Sequence, residues 1–126
     1  MVLDAAHNVA SVRALVQTLE ESFSVARRLL IFAASHDKDV RGMLPCLLDH
    51  FDELYFTRYS GNCRAVPPQE LQAAAEELTG RRWPVFDAPA AAWQAARSAA
   101  TADDLVCVTG SFFLAAEMAA IVQVKL

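Results

Sequence analysis

The chain has 126 residues, of which 55% are apolar and 21% are charged, and its net charge at pH 7 is −4. This composition excludes a disordered chain and is typical of one domain with a well-filled core. A sequence-independent nucleic-acid binder needs a basic face, and no run of Lys and Arg exists to form one. The start of the chain lacks the charged and apolar segments of a secretion signal, and polar residues interrupt its most apolar stretch, residues 105–126. We therefore expect neither secretion nor a membrane span.

The three cysteines, Cys46, Cys63 and Cys107, are widely spaced and form no Cys-x-x-Cys or Cys/His pattern. The sequence therefore predicts neither a disulfide framework nor a zinc site, and it assigns no metal ligands. Each thiol is expected to be a small, reduced, apolar side chain. This cysteine usage is consistent with a reducing, cytoplasmic location.

The first half of the chain alternates between strand-like and helix-like segments. Val2-Leu3 is predicted to end a short strand, and Asn8 is the expected N-cap of the helix that follows. Residues 29–34 form a continuous apolar run, which is typical of a buried strand. Residues 40–50 are predicted as a second helix and residues 54–57 as another strand. The first helix carries apolar residues at helical spacing: Val12, Leu15, Val16, Leu19 and Phe23.

The second half of the chain continues this alternation. A third helix is predicted to end at Gly80, because glycine is common just beyond a helix C-terminus. Residues 84–86 are predicted as a short peripheral strand, residues 90–100 as an alanine-rich helix and residues 105–108 as the last strand. The final helix is predicted over residues 111–122. The helix before Gly80 is expected to carry on one face Leu71, Ala74, Ala75 and Leu78.

Two of the predicted strands, residues 29–34 and 105–108, are apolar on both faces, which favours a parallel sheet buried between two helical layers. Alternating strand and helix units then imply right-handed crossovers and a three-layer, Rossmann-like α/β domain with a mostly parallel sheet flanked by helices. No linker or repeat interrupts the pattern, so residues 1–126 are predicted to form a single domain. The final helix is apolar nearly all round, so it either packs against the sheet or keeps one face for a partner domain.

Polar residues follow each of the four main predicted strands, in residues 4–8, 35–39, 57–58 and 109–111. Ligands of an open parallel sheet bind beyond the carboxyl ends of its strands, where helix N-termini also point. We therefore expect these four segments to converge at one edge of the sheet.

Each of these polar residues also has a purely structural interpretation. Asp4 and Asn8 could cap the first helix, and Ser111 could cap the last. Lys38 stands between two aspartates, which is typical of a solvated turn with local ion pairs. Gly110 could allow a ligand to approach the backbone closely, or it could simply turn the chain. The residue types alone leave both interpretations open.

Several motifs are missing from the sequence. The four glycines have neither P-loop nor G-x-G-x-x-G spacing, so we do not expect the chain alone to wrap a triphosphate. No G-x-S-x-G motif presents a serine nucleophile. A hydrolase triad of Asp4, His7 and Ser111 can be written, but no spacing supports it.

Three segments of the chain resemble the signatures of one enzyme family. Residues 3–8 (LDAAHN) are similar to its LDGAHN signature, residues 31–44 (IFAASHDKDVRGML) to a segment around DKD, and residues 103–114 (DDLVCVTGSFFL) to a segment around VTGS. The family is the Mur ligases, and the resemblance is to the C-terminal domain of its folylpolyglutamate synthase/dihydrofolate synthase members. It runs nearly from end to end of the chain, although Ala5 and Ala33 stand where the family usually has glycine.

The resemblance implies an ATP-dependent ligase. In this family ATP phosphorylates a carboxylate of a folate or dihydropteroate substrate, and the amine of L-glutamate attacks the acyl phosphate. The N-terminal part of such enzymes carries the P-loop, the Mg²⁺ site and most of the folate pocket, and the C-terminal domain closes over ATP and glutamate. ATP and Mg²⁺ are therefore the implied cofactors. The implied partners are L-glutamate, folate or dihydropteroate and the chain's own N-terminal domain, with no nucleic acid and no membrane.

The resemblance also implies roles for five residues of this chain. His7 is implied as the catalytic residue and as a glutamate ligand beside the transferring phosphate. Lys38 and Ser111 are implied to bind the same glutamate, and Asp4 and Asn8 to contact ATP. An ammonium group and helix N-terminal N–H groups suit a small dianionic substrate.

The first signature begins directly after the N-terminus, since Met1 falls just before it. We therefore expect the chain to be a fragment that lacks the N-terminal ATP-binding domain and that is inactive alone. The alternative function is a stand-alone, non-catalytic α/β module that binds an anionic metabolite or a protein partner.

Overall fold

A computed structural model of the chain describes residues 2–3, 8–22, 25–60, 64–110 and 112–125. Strands and helices alternate along most of these residues. The strands are β1 (Val2–Leu3), β2 (Arg28–Phe32), β3 (Glu53–Phe56) and β4 (Leu105–Thr109). The helices are α1 (Val9–Ser22), α2 (Val40–His50), α3 (Pro68–Thr79), α4 (Pro89–Ala99) and α5 (Phe112–Lys125). The predicted strand–helix alternation is therefore confirmed.

The four strands form one sheet in the order β1-β4-β2-β3, and every pair of neighbours within it is parallel. In the register, Leu30 of β2 lies between Cys107 of β4 and Leu54 of β3. Both faces of β2 and β4 are covered, since four of the five β2 residues and all five β4 residues are buried. The expected Rossmann-like α/β fold with a parallel sheet is confirmed.

Side chains of each strand alternate between two apolar clusters, one on each face of the sheet. Leu30 and Phe32 of β2 pack in the cluster that α1, α2 and α3 cover. Leu29 and Ile31 pack in the other cluster, which α4 and α5 cover. The alternation follows from the two-residue period of a strand, and it produces the three predicted layers.

Helix α3 ends as predicted, but one of its apolar residues is exposed. Gly80 adopts a φ of 73°, and its N–H donates to Glu76 O at 2.8 Å. This left-handed conformation favours glycine at a helix C-terminus. Leu78 belongs to the predicted apolar face, but it is not buried with the others, because 49% of it is exposed. The buried residues of α3 stop at Ala75, so its last turn extends beyond the elements on which the helix packs.

The observed bounds of β2, β3 and β4 each differ by one or two residues from the predicted ones, and one predicted strand is absent from the sheet. Strand β2 ends at Phe32 and not at Ala34, because Ala34 O accepts a hydrogen bond from Val66 N–H instead of continuing the parallel ladder. The predicted strand over residues 84–86 is only an isolated bridge to Phe56. Pro84 has no N–H, so the ladder is not propagated beyond this bridge.

Helix α5 packs on the sheet through one stripe of its apolar surface. Leu114 and Met118 are fully buried, while Ala116 and Ala120 are exposed. The predicted packing of this helix against the sheet is therefore confirmed for one face. No helix in the described residues has the length and apolar content needed to cross a membrane.

Cys107 is fully buried in β4, and Cys46 is half-buried in α2. Cys63 lies outside the described residues.

Candidate functional site

The carboxyl ends of β2, β3 and β4 meet at one edge of the sheet because the strands are parallel. The chain leaves these strands through Ser35, Thr57 and Thr109, and all three polar residues are buried. We call this region the carboxyl edge; it comprises residues 33–39, 57–60 and 109–110 and the first turns of α1 and α2. The predicted convergence of polar segments after β2, β3 and β4 is thus confirmed.

Gly110 brings the end of β4 against the end of β2. Its φ is 110°, which L-residues with side chains rarely adopt. A methyl group on Gly110 would overlap the carbonyl oxygen of Ala33 and lie 2.6 Å from Cε1 of Phe32. The lack of a side chain at Gly110 therefore allows the end of β4 to approach the end of β2 closely.

Asn8 caps helix α1, as one interpretation of the sequence predicts. Its Oδ1 accepts a hydrogen bond from the Ser11 N–H at 2.8 Å, and its own N–H donates to Ser11 Oγ at 3.1 Å. This reciprocal pair satisfies two donors at the helix start. If Asn8 also contacts a ligand, its side-chain NH₂ is the group that can donate to it.

The first turns of α1 and α2 lie in contact at the carboxyl edge. Asp39 caps α2 by accepting a hydrogen bond from the Gly42 N–H at 3.0 Å. A methyl group on Gly42 would lie only 2.8 Å from Cγ2 of Val9, the first residue of α1. Two helix N-termini therefore present partial positive charge side by side, which favours an anion between them and the sheet edge.

Lys38 lies in a tight turn between β2 and α2. Its N–H donates to Ser35 O at 3.1 Å, and its own carbonyl accepts from Val40 N–H at 3.0 Å. The side chain is 33% exposed, and Nζ lies 3.8 Å from Oδ2 of the exposed Asp37. The predicted local ion pair is present, but at this distance and exposure it contributes little stability. The Lys38 ammonium can therefore bind an additional anion.

A groove of about 580 Å³ opens between α2 and α3, beside this turn. Lys38 and Arg41 line one wall, and Glu70 and Glu77 line the other. Arg41 Nη1 and Glu77 Oε2 lie 3.1 Å apart, so an exposed ion pair connects the two walls. The floor is apolar and includes Val66, Leu71 and Ala74. Of Lys38 and Arg41, which both line the groove, Lys38 is nearer in sequence to the end of β2.

Only two of the five predicted site residues lie in the described part of the chain. Lys38 and the first turn of α1, which Asn8 caps, are both at the carboxyl edge. Asp4, His7 and Ser111 lie outside the described residues. In the described ranges, no three His, Cys, Asp or Glu side chains gather as metal ligands would.

The clearest shifts in side-chain pKa among the described residues lie away from this edge. A hydrogen bond from Arg27 lowers the pKa of the Asp104 carboxyl, and this pair joins the starts of β2 and β4. Burial, with the nearby Arg28 charge, lowers the pKa of His50 in α2. These groups belong to the framework of the fold rather than to the candidate site.

Two contacts near the carboxyl edge were not expected from the sequence. The Tyr59 hydroxyl forms a hydrogen bond with Ser35 Oγ, and the Glu117 carboxylate accepts two hydrogen bonds from Ser60. A single tyrosine in a loop and a single glutamate in an apolar helix carry no motif. Only the folded arrangement brings their partners, 24 and 57 residues away, into reach.

Residues 1–112 match the family described as Mur ligase, glutamate ligase domain. The chain belongs to this family. The match includes the turn that carries Lys38 and continues past the end of β4.

Among curated proteins, the chain is similar to the dihydrofolate synthase/folylpolyglutamate synthase of Escherichia coli K12. The two are 29% identical over 125 residues, which cover 99% of this chain and 28% of that protein. The chain thus spans about a quarter to a third of the length of this relative.

Solved structures of such enzymes contain the same fold. E. coli FolC in complex with DHPP and ADP matches with a TM-score of 0.87 and 29% identity, over 97% of this chain and 28% of that one. A bifunctional folylpolyglutamate synthase/dihydrofolate synthase with Mn, AMPPNP and L-glutamate bound matches with a TM-score of 0.79 and 29% identity. That match covers 94% of this chain and 28% of the solved one.

Proposed function

We propose that this chain is the glutamate-binding domain of an ATP-dependent ligase that adds L-glutamate to folate or dihydropteroate. The observation that carries the proposal is the position of Lys38. Its partly buried side chain lies at the carboxyl edge, in a turn that leads into α2, and the first turn of α2 contacts that of α1. Membership of the glutamate ligase family and the L-glutamate bound to a related structure support this assignment.

In the proposed reaction, a carboxylate oxygen of the folate-type substrate attacks the γ-phosphorus of ATP, and ADP leaves. The amine of glutamate then attacks the carbonyl carbon of the acyl phosphate, loses a proton and expels inorganic phosphate. Such chemistry depends on orientation and charge stabilisation more than on a protein nucleophile. The domain's contribution is therefore to bind the amino acid in a fixed orientation and to exclude water from the acyl phosphate.

We assign the roles of individual residues as follows. The Lys38 ammonium binds a glutamate carboxylate, with Ser111 as a further ligand of the same amino acid. His7 is the proposed catalytic residue and acts on glutamate and the transferring phosphate. Asp4 and Asn8 contact the nucleotide, Asn8 through its side-chain NH₂ because its oxygen already caps α1.

The remaining components come from a second domain in this proposal. The sequence has no P-loop spacing, and the described residues form no cluster of metal ligands. The E. coli relative is several times longer than the matched segment, since the match covers 28% of it. An N-terminal domain is therefore proposed to supply the triphosphate cradle, the Mg²⁺ site and most of the folate pocket. Residues 1–126 are proposed to act as a single domain that does not turn over ATP alone.

A chimera tests this function. The segment of the E. coli enzyme that matches this chain is replaced by the chain, and glutamate-dependent ADP release is measured with dihydropteroate. We expect Lys38→Ala to raise the KM for glutamate about tenfold, since a hydrogen bond to a charged group is lost, with the KM for ATP nearly unchanged. Arg82→Ala is the control, because it removes one exposed cation that pairs with Glu76 at 3.7 Å outside the groove.

Two results would contradict the proposal. One is an equal rise in the KM for glutamate and in the KM for ATP in Lys38→Ala. Lys38 would then not be a specific ligand of glutamate. The other is ATP turnover by the 126-residue chain alone. A folded chimera that binds neither substrate would favour the alternative, a non-catalytic module.

A further inference from the structure

The turn after β3 is connected to the end of β2 on one side and to helix α5 on the other. On one side, Tyr59 Oη and Ser35 Oγ form a hydrogen bond, and both residues are buried. On the other side, Ser60 donates from its N–H to Glu117 Oε1 at 2.7 Å and from its hydroxyl to Glu117 Oε2 at 2.9 Å. Two successive residues of one turn thus bind two different parts of the fold.

The Ser35 side of this network leads directly to Lys38. Ser35 O accepts the hydrogen bond from Lys38 N–H that closes the turn. The backbone around Ser35 is also fixed by an antiparallel bridge to Ala65, and His36 N–H donates to Arg64 O at 2.8 Å. A shift of Ser35 would therefore move the turn that carries Lys38.

The Glu117 side leads to the end of β4. Glu117 is the acidic residue of α5, an otherwise almost entirely apolar helix that begins at Phe112, just after Gly110. Both of its carboxylate oxygens are engaged by Ser60. Ser60 therefore fixes α5, and with it the start of that helix, relative to the turn after β3.

A buried hydroxyl pair is not required to fill the core at Tyr59. The tyrosine ring belongs to the apolar cluster under α4 and α5, and a phenylalanine would fill the same volume. The Tyr59 hydroxyl instead restricts the position of Ser35. An unpaired buried hydroxyl is unfavourable, so the two side chains must stay within hydrogen-bonding distance of each other.

We infer that Tyr59, Ser35, Ser60 and Glu117 are positioning residues that set the Lys38 turn relative to the start of α5. The inference rests on the proposed function for the identity of the ligand. The hydrogen bonds among these four residues are present in the structure whatever the ligand is. They would make the glutamate-binding geometry depend on the turn after β3.

The test uses amide hydrogen exchange and an L-glutamate titration, both followed by NMR on the 126-residue chain. We expect Tyr59→Phe to speed exchange of the Lys38 amide about fivefold and to weaken glutamate binding by a similar factor, as expected for the loss of one hydrogen bond. Ser35→Ala should do the same, because it removes the same hydrogen bond from the other side. Glu117→Gln should speed exchange of the Ser60 amide.

Tyr55→Phe is the matched control. Tyr55 is the chain's other tyrosine, buried in the same cluster and stacked on Phe86 with ring centroids 6.1 Å apart. Its hydroxyl interacts with the charges of Glu53 and Arg27 at the opposite ends of the strands. We expect this variant to leave Lys38 exchange and glutamate binding within about twofold of the original values, since the removed hydroxyl lies at the opposite ends of the strands from Lys38 and changes at distant sites are nearly independent.

The outcomes separate this inference from the proposed function. Unchanged Lys38 exchange in Tyr59→Phe and Ser35→Ala would overturn the inference, whatever glutamate does. Faster exchange with unchanged glutamate affinity would also overturn it, because the turn would then not position the ligand site. If the original chain shows no glutamate-induced shifts, the proposed function fails, and the exchange rates alone decide whether the network fixes the turn.

Discussion

Arg27 donates two hydrogen bonds to a single carboxylate oxygen of Asp104, from Nε at 3.3 Å and from Nη2 at 2.8 Å. The same oxygen accepts the Thr101 N–H at 2.9 Å, and Arg27 Nη2 also donates to Ala99 O at 2.8 Å. Only 1% of the Asp104 side chain is exposed. This cluster joins the start of β2, the end of α4 and the start of β4, at the opposite edge of the sheet from Lys38.

Asp104→Asn should lower the free energy of unfolding at pH 7. The hydrogen bond from Arg27 lowers the pKa of Asp104 in the folded state, so the ionised form is the one that stabilises the fold. This contribution is present above the ordinary carboxyl pKa of 3.8 and is lost as the pH falls through the lowered value. Urea unfolding at several pH values measures it, with the exposed neighbour Asp103→Asn as control. Equal stability of the two variants at pH 7 would contradict the prediction.

His50 should make the fold less stable in mild acid. Burial and the Arg28 charge lower its pKa from 6.5, although the bond to Glu20, at 3.1 Å from Nδ1, raises it partly. Because the folded state favours the neutral ring, the stabilisation is present above pH 6.5 and is lost as the pH falls below it. Glu20→Gln should steepen this loss, and His50→Gln should flatten it, in urea unfolding between about pH 5 and 8. A steeper loss in His50→Gln would refute the assignment.

Gly110→Ala should destabilise the chain by about 3 kcal/mol. The new methyl group would overlap Ala33 O, and the residue would be strained at a φ of 110°. Gly80→Ala is the matched control, because Gly80 also has a positive φ but no atom within 4 Å of the added carbon. It should cost about 1 kcal/mol. Chemical denaturation that gives equal losses for the two variants would show that the contact at Gly110 is unimportant.

Pro45→Ala should stabilise the chain by about 2 kcal/mol. Pro45 lies inside α2, where it cannot donate the hydrogen bond that helical geometry directs to Arg41 O. The helix nevertheless continues to His50, so the substitution restores a bond without changing the path of the chain. Greater freedom of the unfolded chain offsets part of the gain. A lower midpoint of thermal unfolding in the variant would contradict this expectation.

The sequence predicts those features of the fold that depend on neighbouring residues. Helical spacing, the cap at Asn8 and the glycine at the end of α3 are local signals, and each matches the structure. The polar segments after β2 and β4 are also local, and the parallel sheet brings them together. Lys38, which follows β2, is therefore a candidate site residue that the sequence itself predicts.

Features that depend on contacts between residues far apart in the sequence could not be predicted from local patterns. The apolar run of β2 continues through Ala34, but only the folded chain shows that Ala34 pairs with Val66. Leu78 fits the helical period, but periodicity does not reveal that α3 extends past its partners. The acidic wall of the groove comes from α3, and no pattern in the 35–39 segment indicates which helix will face it.

The bridge between Phe56 and Val85 has a consequence for self-association. Phe56 N–H donates to Pro84 O at 3.1 Å, and Phe56 O accepts from Phe86 N–H at 2.9 Å. Both outward-facing backbone groups of Phe56 are therefore occupied, and the proline beside them offers no donor of its own. At Phe56 a second molecule therefore finds no free backbone group to which a strand could be added, so intermolecular sheet growth is obstructed at this end of the β3 margin.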